Sequence, residues 1–167
     1  MNLYPNEYVA RVEDISIEFL KKNKIKALIL DVDNTLINYA QKMEATVIEW
    51  TKNMIKNGIQ LYILSNTNNK KKILNVSGKL GIKYIYFAKK PLKLGFLKIQ
   101  REFNIPAENI GVVGDQIFTD IIGGNRSKMF TILVDPIEVK EFWYTAFKRP
   151  IEKKIIENYR KKKEKGD

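Results

Sequence analysis

The chain contains no cysteine and no histidine. The first absence removes disulfides, thiolate nucleophiles and zinc–thiolate centres together, and the second removes the commonest general base and imidazole metal ligand. Any catalysis must draw on carboxylates, hydroxyls, lysine, arginine or a hard metal ion held by oxygen. Among phosphoryl-transfer chemistries this eliminates histidine and cysteine nucleophiles and leaves aspartate. Long apolar runs are missing too: the apolar stretches are about strand length, well short of the roughly 20 residues that span a bilayer. The first residues lack the charged, apolar and small-residue regions of a secretory signal. A cytoplasmic protein is the expectation.

With 167 residues and no long Pro, Gly or Ser stretch, the chain suits one globular domain spanning 1–167, with a core from about 24 to 136. The formal charge of +11 favours anionic partners such as phosphate esters, nucleic acid or acidic lipid surfaces. A merely solvated basic surface accounts for it equally well.

Apolar runs alternate with amphipathic ones. The N-terminal segment reads as helical, with Val12, Ile15, Phe19 and Leu20 on one face. Strands are expected at Ala27–Leu30, Gln60–Leu64, Tyr84–Phe87, Ile110–Val113 and Phe130–Val134. Between them lie helical patterns: Met43, Val47, Trp50 and Met54 before Gly58; Ile73, Leu74 and Leu80 before Gly81; a third opening at Pro91; and a short fourth near Thr119 to Asn125. This alternation predicts an α/β three-layer sandwich: five parallel strands, right-handed crossovers and helices on both faces. Beyond it, Phe142, Trp143, Tyr144 and Phe147 precede Pro150 and a basic helical tail.

Four polar clusters fall at successive strand ends: Asp31-Val32-Asp33-Asn34-Thr35, Ser65-Asn66-Thr67, Lys89-Lys90-Pro91, and Gly114-Asp115-Gln116 with Thr119-Asp120. Parallel strands bring all four to one edge of the sheet, where ligands of open α/β sheets bind. Two carboxylates one residue apart repel each other, so a fold keeps them mainly where a cation or a shared proton uses them. Asp31 and Asp115 suit a hard divalent ion, usually Mg²⁺ when phosphate is the co-ligand. Ser65 and a lysine suit phosphate oxygens. Each cluster alone has a duller reading: a capping serine, a solvated helix start, a Gly-Asp turn, an Asx turn. Their order at strand ends favours chemistry. Gly123, Gly124 and Asn125 are expected to shape a helix end and its packing.

This order resembles the haloacid dehalogenase (HAD) superfamily of aspartyl-phosphate phosphatases, from about Ala27 to Val134. The DxDxT motif is met by Asp31, Asp33 and Thr35, the second-motif hydroxyl by Ser65, the lysine of the KP form by Lys90 before Pro91, and GDxxxxD by Gly114, Asp115 and Asp120. Lys90 is preferred to Lys89 and Lys93 because it directly precedes proline. The resemblance implies that Asp31 attacks phosphorus and that Asp33 protonates the leaving alkoxide and then deprotonates water. It also implies that Asp31, Asp115 and the backbone carbonyl of Asp33 hold Mg²⁺, with Thr35, Ser65, Asn66 and Lys90 binding the substrate. Whether Asp120 meets the metal directly or through water stays open.

Both intervals that carry cap domains in that superfamily are short here, so a capless, open site is expected, accessible to a phosphate on a macromolecule or at a membrane surface. Closer up, Asp31–Leu36, Ala88–Pro91 and Val113–Arg126 look like the subclass IIIA branch called the YqeG family, related to the phosphatidylglycerophosphate phosphatases. The resemblance implies that lipid as substrate, at an anionic surface to which each lysine or arginine contributes roughly 1 kcal/mol. The aromatics at 142–147, with Lys148, Arg149, Lys153 and Lys154, suit either an interface or packing on the body. Two rival readings stand beside this one. One is a HAD phosphatase for a soluble phosphomonoester. The other is a basic module for RNA or a ribosomal partner, supported by Lys70–Lys72 and Lys161–Lys163. A response-regulator receiver fits less well, since its phosphorylated Asp ends a later strand than its acidic pair.

Overall fold

The computed structural model describes residues 2–139 and 148–166. Its sheet has six parallel strands, β1 (Glu7–Val9), β2 (Ala27–Leu30), β3 (Gln60–Leu64), β4 (Lys83–Ile85), β5 (Ile110–Gly114) and β6 (Phe130–Val134), in the order β1-β6-β5-β2-β3-β4. Central β2 is buried along its whole length. Leu28 and Leu30 face one core and Ala27 and Ile29 the other, as the two-residue period of a doubly covered strand requires.

Helices α1 (Ile17–Lys22), α2 (Ala45–Lys56) and α3 (Lys70–Leu80) cover the first face through Leu20, Trp50, Met54, Ile73 and Val76. Helix α4 (Leu94–Phe103) covers the second through Phe96, Ile99 and Phe103, with α5 (Ile122–Arg126) and α6 (Arg149–Glu164) beside it. Local signals set the helix ends. Ser16 caps α1 by accepting from the Phe19 N–H at 3.0 Å, Asn69 caps α3 by accepting from the Lys72 N–H at 3.1 Å, and Gly81 ends α3 with φ of 67°. Buried Trp50 donates from Nε1 to the Ile15 carbonyl at 2.9 Å.

Several expectations need correction. The sheet has a sixth strand, β1, which lies ahead of the residues read as helical and pairs in register with Ile132–Val134. Helix α1 is confined to Ile17–Lys22. The strand expected at Tyr84–Phe87 runs over Lys83–Ile85 instead. The third helix opens at Leu94, three residues after Pro91, since residues 89–92 form a turn in which the Leu92 N–H donates to the Lys89 carbonyl at 3.0 Å. The fourth is a π-helical turn, Ile117–Ile121, continuing into α5. Gly123 and Gly124 lie inside α5, where a Cβ would come within 2.4 Å of the Phe96 ring and 2.5 Å of Thr131, so their role is close packing.

Core packing also extends past 136. Ile155 of α6 joins Ile117, Ile121 and Leu133, and the Arg160 guanidinium lies 5.1 Å from the Tyr8 ring centre on β1. The aromatics Phe142, Trp143, Tyr144 and Phe147 fall outside the described residues.

Candidate active site

Successive connections diverge from β2: the chain moves outward through β3 to β4, while β5 and β6 lie on the other side. The carboxyl end of β2 is therefore the switch point where a crevice opens. Asp31 stands there, still donating its N–H to the Val113 carbonyl at 2.9 Å, and Asp115 follows β5 next door.

Lys90 crosses to this point from the loop after β4. Its Nζ lies 2.8 Å from Asp31 Oδ1 and 2.6 Å from Asp120 Oδ1, with its side chain only 3% exposed. The remaining Asp120 oxygen accepts the Gln116 N–H at 3.2 Å. Ligand atoms of Asp31, Asp115 and Asp120 all lie within 4.8 Å of one another. The Thr35 hydroxyl lies 3.4 Å from Asp31 and 3.5 Å from Asp115 and can donate to one of them at a time.

The electrostatics are those of too many acids in one dry place. Burial pushes the Asp115 carboxyl well above the usual range, and the neighbouring charges of Asp31 and Asp120 push it further. Burial likewise raises Asp120, to about 7, with Asp31 adding to the effect and Lys90 opposing it. Burial works against the Lys90 ammonium, but Asp120 and Asp31 outweigh it and hold its pKa above the ordinary lysine value.

This donor set fits a hard divalent ion: it is all oxygen, it is clustered, and one ammonium does not neutralise three carboxylates. The sign of the resulting pH dependence follows. Between the ordinary carboxylate pKa of 3.8 and about 7, native Asp120 holds a proton that the unfolded chain has released. Stability without divalent ion therefore falls as pH rises through that window. In a chelator, the melting temperature of wild type relative to Asp120→Asn is expected to drop from pH 5 to pH 8. Added Mg²⁺ should raise it most at the higher pH, where no proton competes.

The remaining expected residues are placed as follows. Asp33 is not among the clustered carboxylates; it is 48% exposed and pairs with Lys72 Nζ at 2.7 Å. Ser65 is buried at the end of β3, its Oγ accepting the Thr67 N–H at 3.2 Å. Asn66 clamps the backbone of Lys90, its Oδ1 accepting the Lys90 N–H at 2.6 Å and its amide donating to the Lys90 carbonyl at 3.1 Å. Here Asn66 positions the lysine. Lys89, with φ of 56°, faces outward over the Phe87 ring, so Lys90 is the inward lysine of the pair.

Other contributors lay outside the sequence reading. Lys72 occupies the first turn of α3, a placement that the run Lys70-Lys71-Lys72 does not single out. Asn34, buried with φ of 62°, accepts the Glu138 N–H at 3.0 Å and donates to the Glu138 carbonyl at 2.9 Å, tying the DxDxT loop to the segment after β6. Asn34→Ala should cost about 1–3 kcal/mol in chemical unfolding, because two backbone groups lose their partner. From α6, Glu152 accepts hydrogen bonds from the Ile117 and Phe118 amides, and the Arg149 charge lowers Asp115 against the larger effect of burial. Gly114 allows the close approach of Asp120, since a Cβ there would lie 2.2 Å from the Asp120 carboxyl. Gly114→Ala is expected to displace Asp120 and weaken Mg²⁺-induced stabilisation.

Known proteins bear on this geometry. Residues 2–138 match the family model described as mitochondrial PGP phosphatase. The chain belongs to that family. It is a HAD-type phosphatase of the YqeG kind, an enzyme that hydrolyses phosphoric monoesters. It is 38% identical over 160 residues to the probable phosphatase YqeG of Bacillus subtilis, covering 95% of this chain and 92% of that one. It is 27% identical over 149 residues to the chloroplastic/mitochondrial phosphatidylglycerophosphate phosphatase 1 of Arabidopsis thaliana, covering 82% of this chain and 42% of the relative. Among solved structures, an uncharacterized protein from Listeria monocytogenes shares the fold with a TM-score of 0.58 at 20% identity, over 70% of this chain and 84% of that one.

Proposed function

We propose that this phosphatase removes the terminal phosphate of phosphatidylglycerophosphate through an aspartyl-phosphate on Asp31, with Mg²⁺ as cofactor. What carries the reading is the convergence of Asp31, Asp115 and Asp120 on Lys90 at the switch point of the sheet. The substrate is suggested by the family model and by the named activity of the Arabidopsis relative.

An Asp31 oxygen attacks phosphorus, the ester P–O bond breaks, and the leaving alkoxide takes a proton from Asp33. Asp33 then removes a proton from water, which attacks the acyl phosphate, releases inorganic phosphate and restores Asp31. Asp33 sits on the exposed side of the loop, suited to meet both leaving group and water, and to act first as an acid it must leave the Lys72 ion pair and take up a proton from solvent. Lys72, once released, is a partner for the incoming phosphate, together with the Ser65 hydroxyl. Lys90 stabilises charge on the transferring group, the kind of positioning on which loose phosphoryl transfer depends.

Asp31, Asp115 and the Asp33 carbonyl would hold the divalent ion, which supplies Lewis-acid neutralisation of phosphate charge. Asp120 holds Lys90 with one oxygen and the Gln116 amide with the other, and so it anchors the lysine at the edge of that site. No helix among the described residues is long and apolar enough to cross a membrane. Acting on that lipid would place the enzyme peripherally, on the inner membrane face.

The deciding experiment compares phosphate release from phosphatidylglycerophosphate in mixed micelles with release from a panel of soluble phosphomonoesters. A preference for the lipid supports the reading. A preference for a sugar phosphate or nucleotide would replace the substrate and leave the chemistry.

A further inference from the structure

The loop that delivers Lys90 inward sends its other large side chains outward. Phe87 is 56% exposed, Leu92 48% and Leu94 76%, with exposed Lys89 and Lys93 between them. Lone exposed hydrophobics are ordinary on any protein. Here they concentrate: six of the ten large hydrophobics exposed among the described residues lie past strand ends on the active-site edge, the other three being Tyr39, Ile137 and Val139. Val139 is 71% exposed and sits next to Glu138, which Asn34 fastens to the DxDxT loop. The apolar tips thus stand on both sides of the crevice that holds Asp31.

Cations accompany them. Lys70 and Lys71 are exposed at the start of α3, on the same edge as Lys72 and Asp33, and the chain as a whole carries +11. Apolar tips ringed by lysines match an anionic bilayer, where hydrocarbon side chains sit below the headgroups and ammonium groups among them.

We infer that the loop 87–94 docks the active-site edge on an anionic phospholipid leaflet, with Phe87, Leu92 and Leu94 inserted and Lys89 and Lys93 at the headgroups, so that Asp31 faces the membrane. This inference rests on the proposed lipid substrate. It adds the surface and the orientation by which that substrate is reached. No cap covers the crevice in the described residues, so the bilayer itself takes the place of a lid over the site.

The test uses the full chain and the double variant Phe87→Ser/Leu94→Ser, both positions being exposed and outside the catalytic set. Flotation is measured with vesicles of phosphatidylcholine alone and of phosphatidylcholine mixed with phosphatidylglycerol. Wild type should float with the mixed vesicles only, and the double variant should bind them about tenfold more weakly. Its hydrolysis of phosphatidylglycerophosphate in vesicles should fall in parallel, while hydrolysis of p-nitrophenyl phosphate stays at the wild-type rate. Equal flotation of wild type and variant, flotation with neutral vesicles to the same extent, or no flotation at all overturns the docking surface, as does a vesicle-free dimer that the variant dissolves. Failure of the substrate reading looks different: wild type floats with anionic vesicles but releases no phosphate from phosphatidylglycerophosphate in any form.

Discussion

Asp31→Asn is expected to abolish phosphate release, by at least about 10⁴-fold, since an amide forms no acyl phosphate and the loss of one member of a catalytic set disables the rest. The shape of the side chain is kept, so the fold should be kept too. Removing one of three clustered carboxylates also relieves repulsion in the metal-free protein. The melting temperature in chelator should therefore hold or rise, while the increment produced by Mg²⁺ shrinks. Asp33→Asn is expected to slow turnover strongly and to leave that increment largely in place, because Asp33 presents its carboxylate to Lys72 outside the acidic cluster. Phosphate assays and thermal melts on the same two preparations separate nucleophile from acid–base residue. Turnover by Asp31→Asn within about tenfold of wild type would remove the aspartyl-phosphate mechanism.

Lys90→Met should be damaging in two distinguishable ways. The ammonium is the nearest compensating charge of Asp31 and Asp120, at 2.8 and 2.6 Å, in a site from which solvent is largely excluded. Deleting one partner of such a buried set typically costs about 3–5 kcal/mol, because the remaining charges lose their counter-ion. Turnover should fall about 10²–10³-fold through lost stabilisation of the transferring phosphoryl group. Mg²⁺ should recover more stability in this variant than in wild type, since the ion then compensates charge that the lysine had compensated. The double variant Lys90→Met/Asp120→Asn should be less destabilised than Lys90→Met alone, a non-additivity expected of residues in direct contact. Additive losses would show that Asp120 and Lys90 do not act as a pair.

Much of the scaffold was readable before any coordinates. Ala27–Leu30, Gln60–Leu64 and Phe130–Val134 stand at the expected residues, because strands buried on both faces are mostly apolar along their length, Gln60 and Thr131 being the polar exceptions. β1 leaves no such signal, for the converse reason. It is three residues long and half-buried at the sheet edge, and its pairing to β6 rests on backbone bonds and on Asn6 and Thr131. A proline before an amphipathic stretch signals a first turn, whereas Pro91 sits in the turn at 89–92 from which Lys90 points inward, and α4 opens only at Leu94.

In the site, local spacing reached as far as strand ends reach. Asp31, Lys90 and Asp115 come together because parallel strands share one carboxyl edge, and the structure gathers them there with Asp120. Side-chain pairings across elements were beyond that reasoning. Lys72 on Asp33, Asn66 on the backbone of Lys90, and Asn34 on Glu138 join residues that are respectively 39, 24 and 104 positions apart. Each depends on where two loops meet, and nothing in their spacing encodes that meeting.

The sequence by itself determined the alternating α/β layout, the polar clusters at the strand ends, and the restriction to carboxylate, hydroxyl and lysine chemistry. Those properties follow from periodicity and from residue types, which are local and survive without coordinates. Only the tertiary structure decided which lysine enters the acidic cluster, that Asp33 stands outside it, and that the loop carrying Lys90 turns its leucines and phenylalanine outward. Such choices rest on burial and charge among groups that come within a few ångströms of one another only after the sheet has closed.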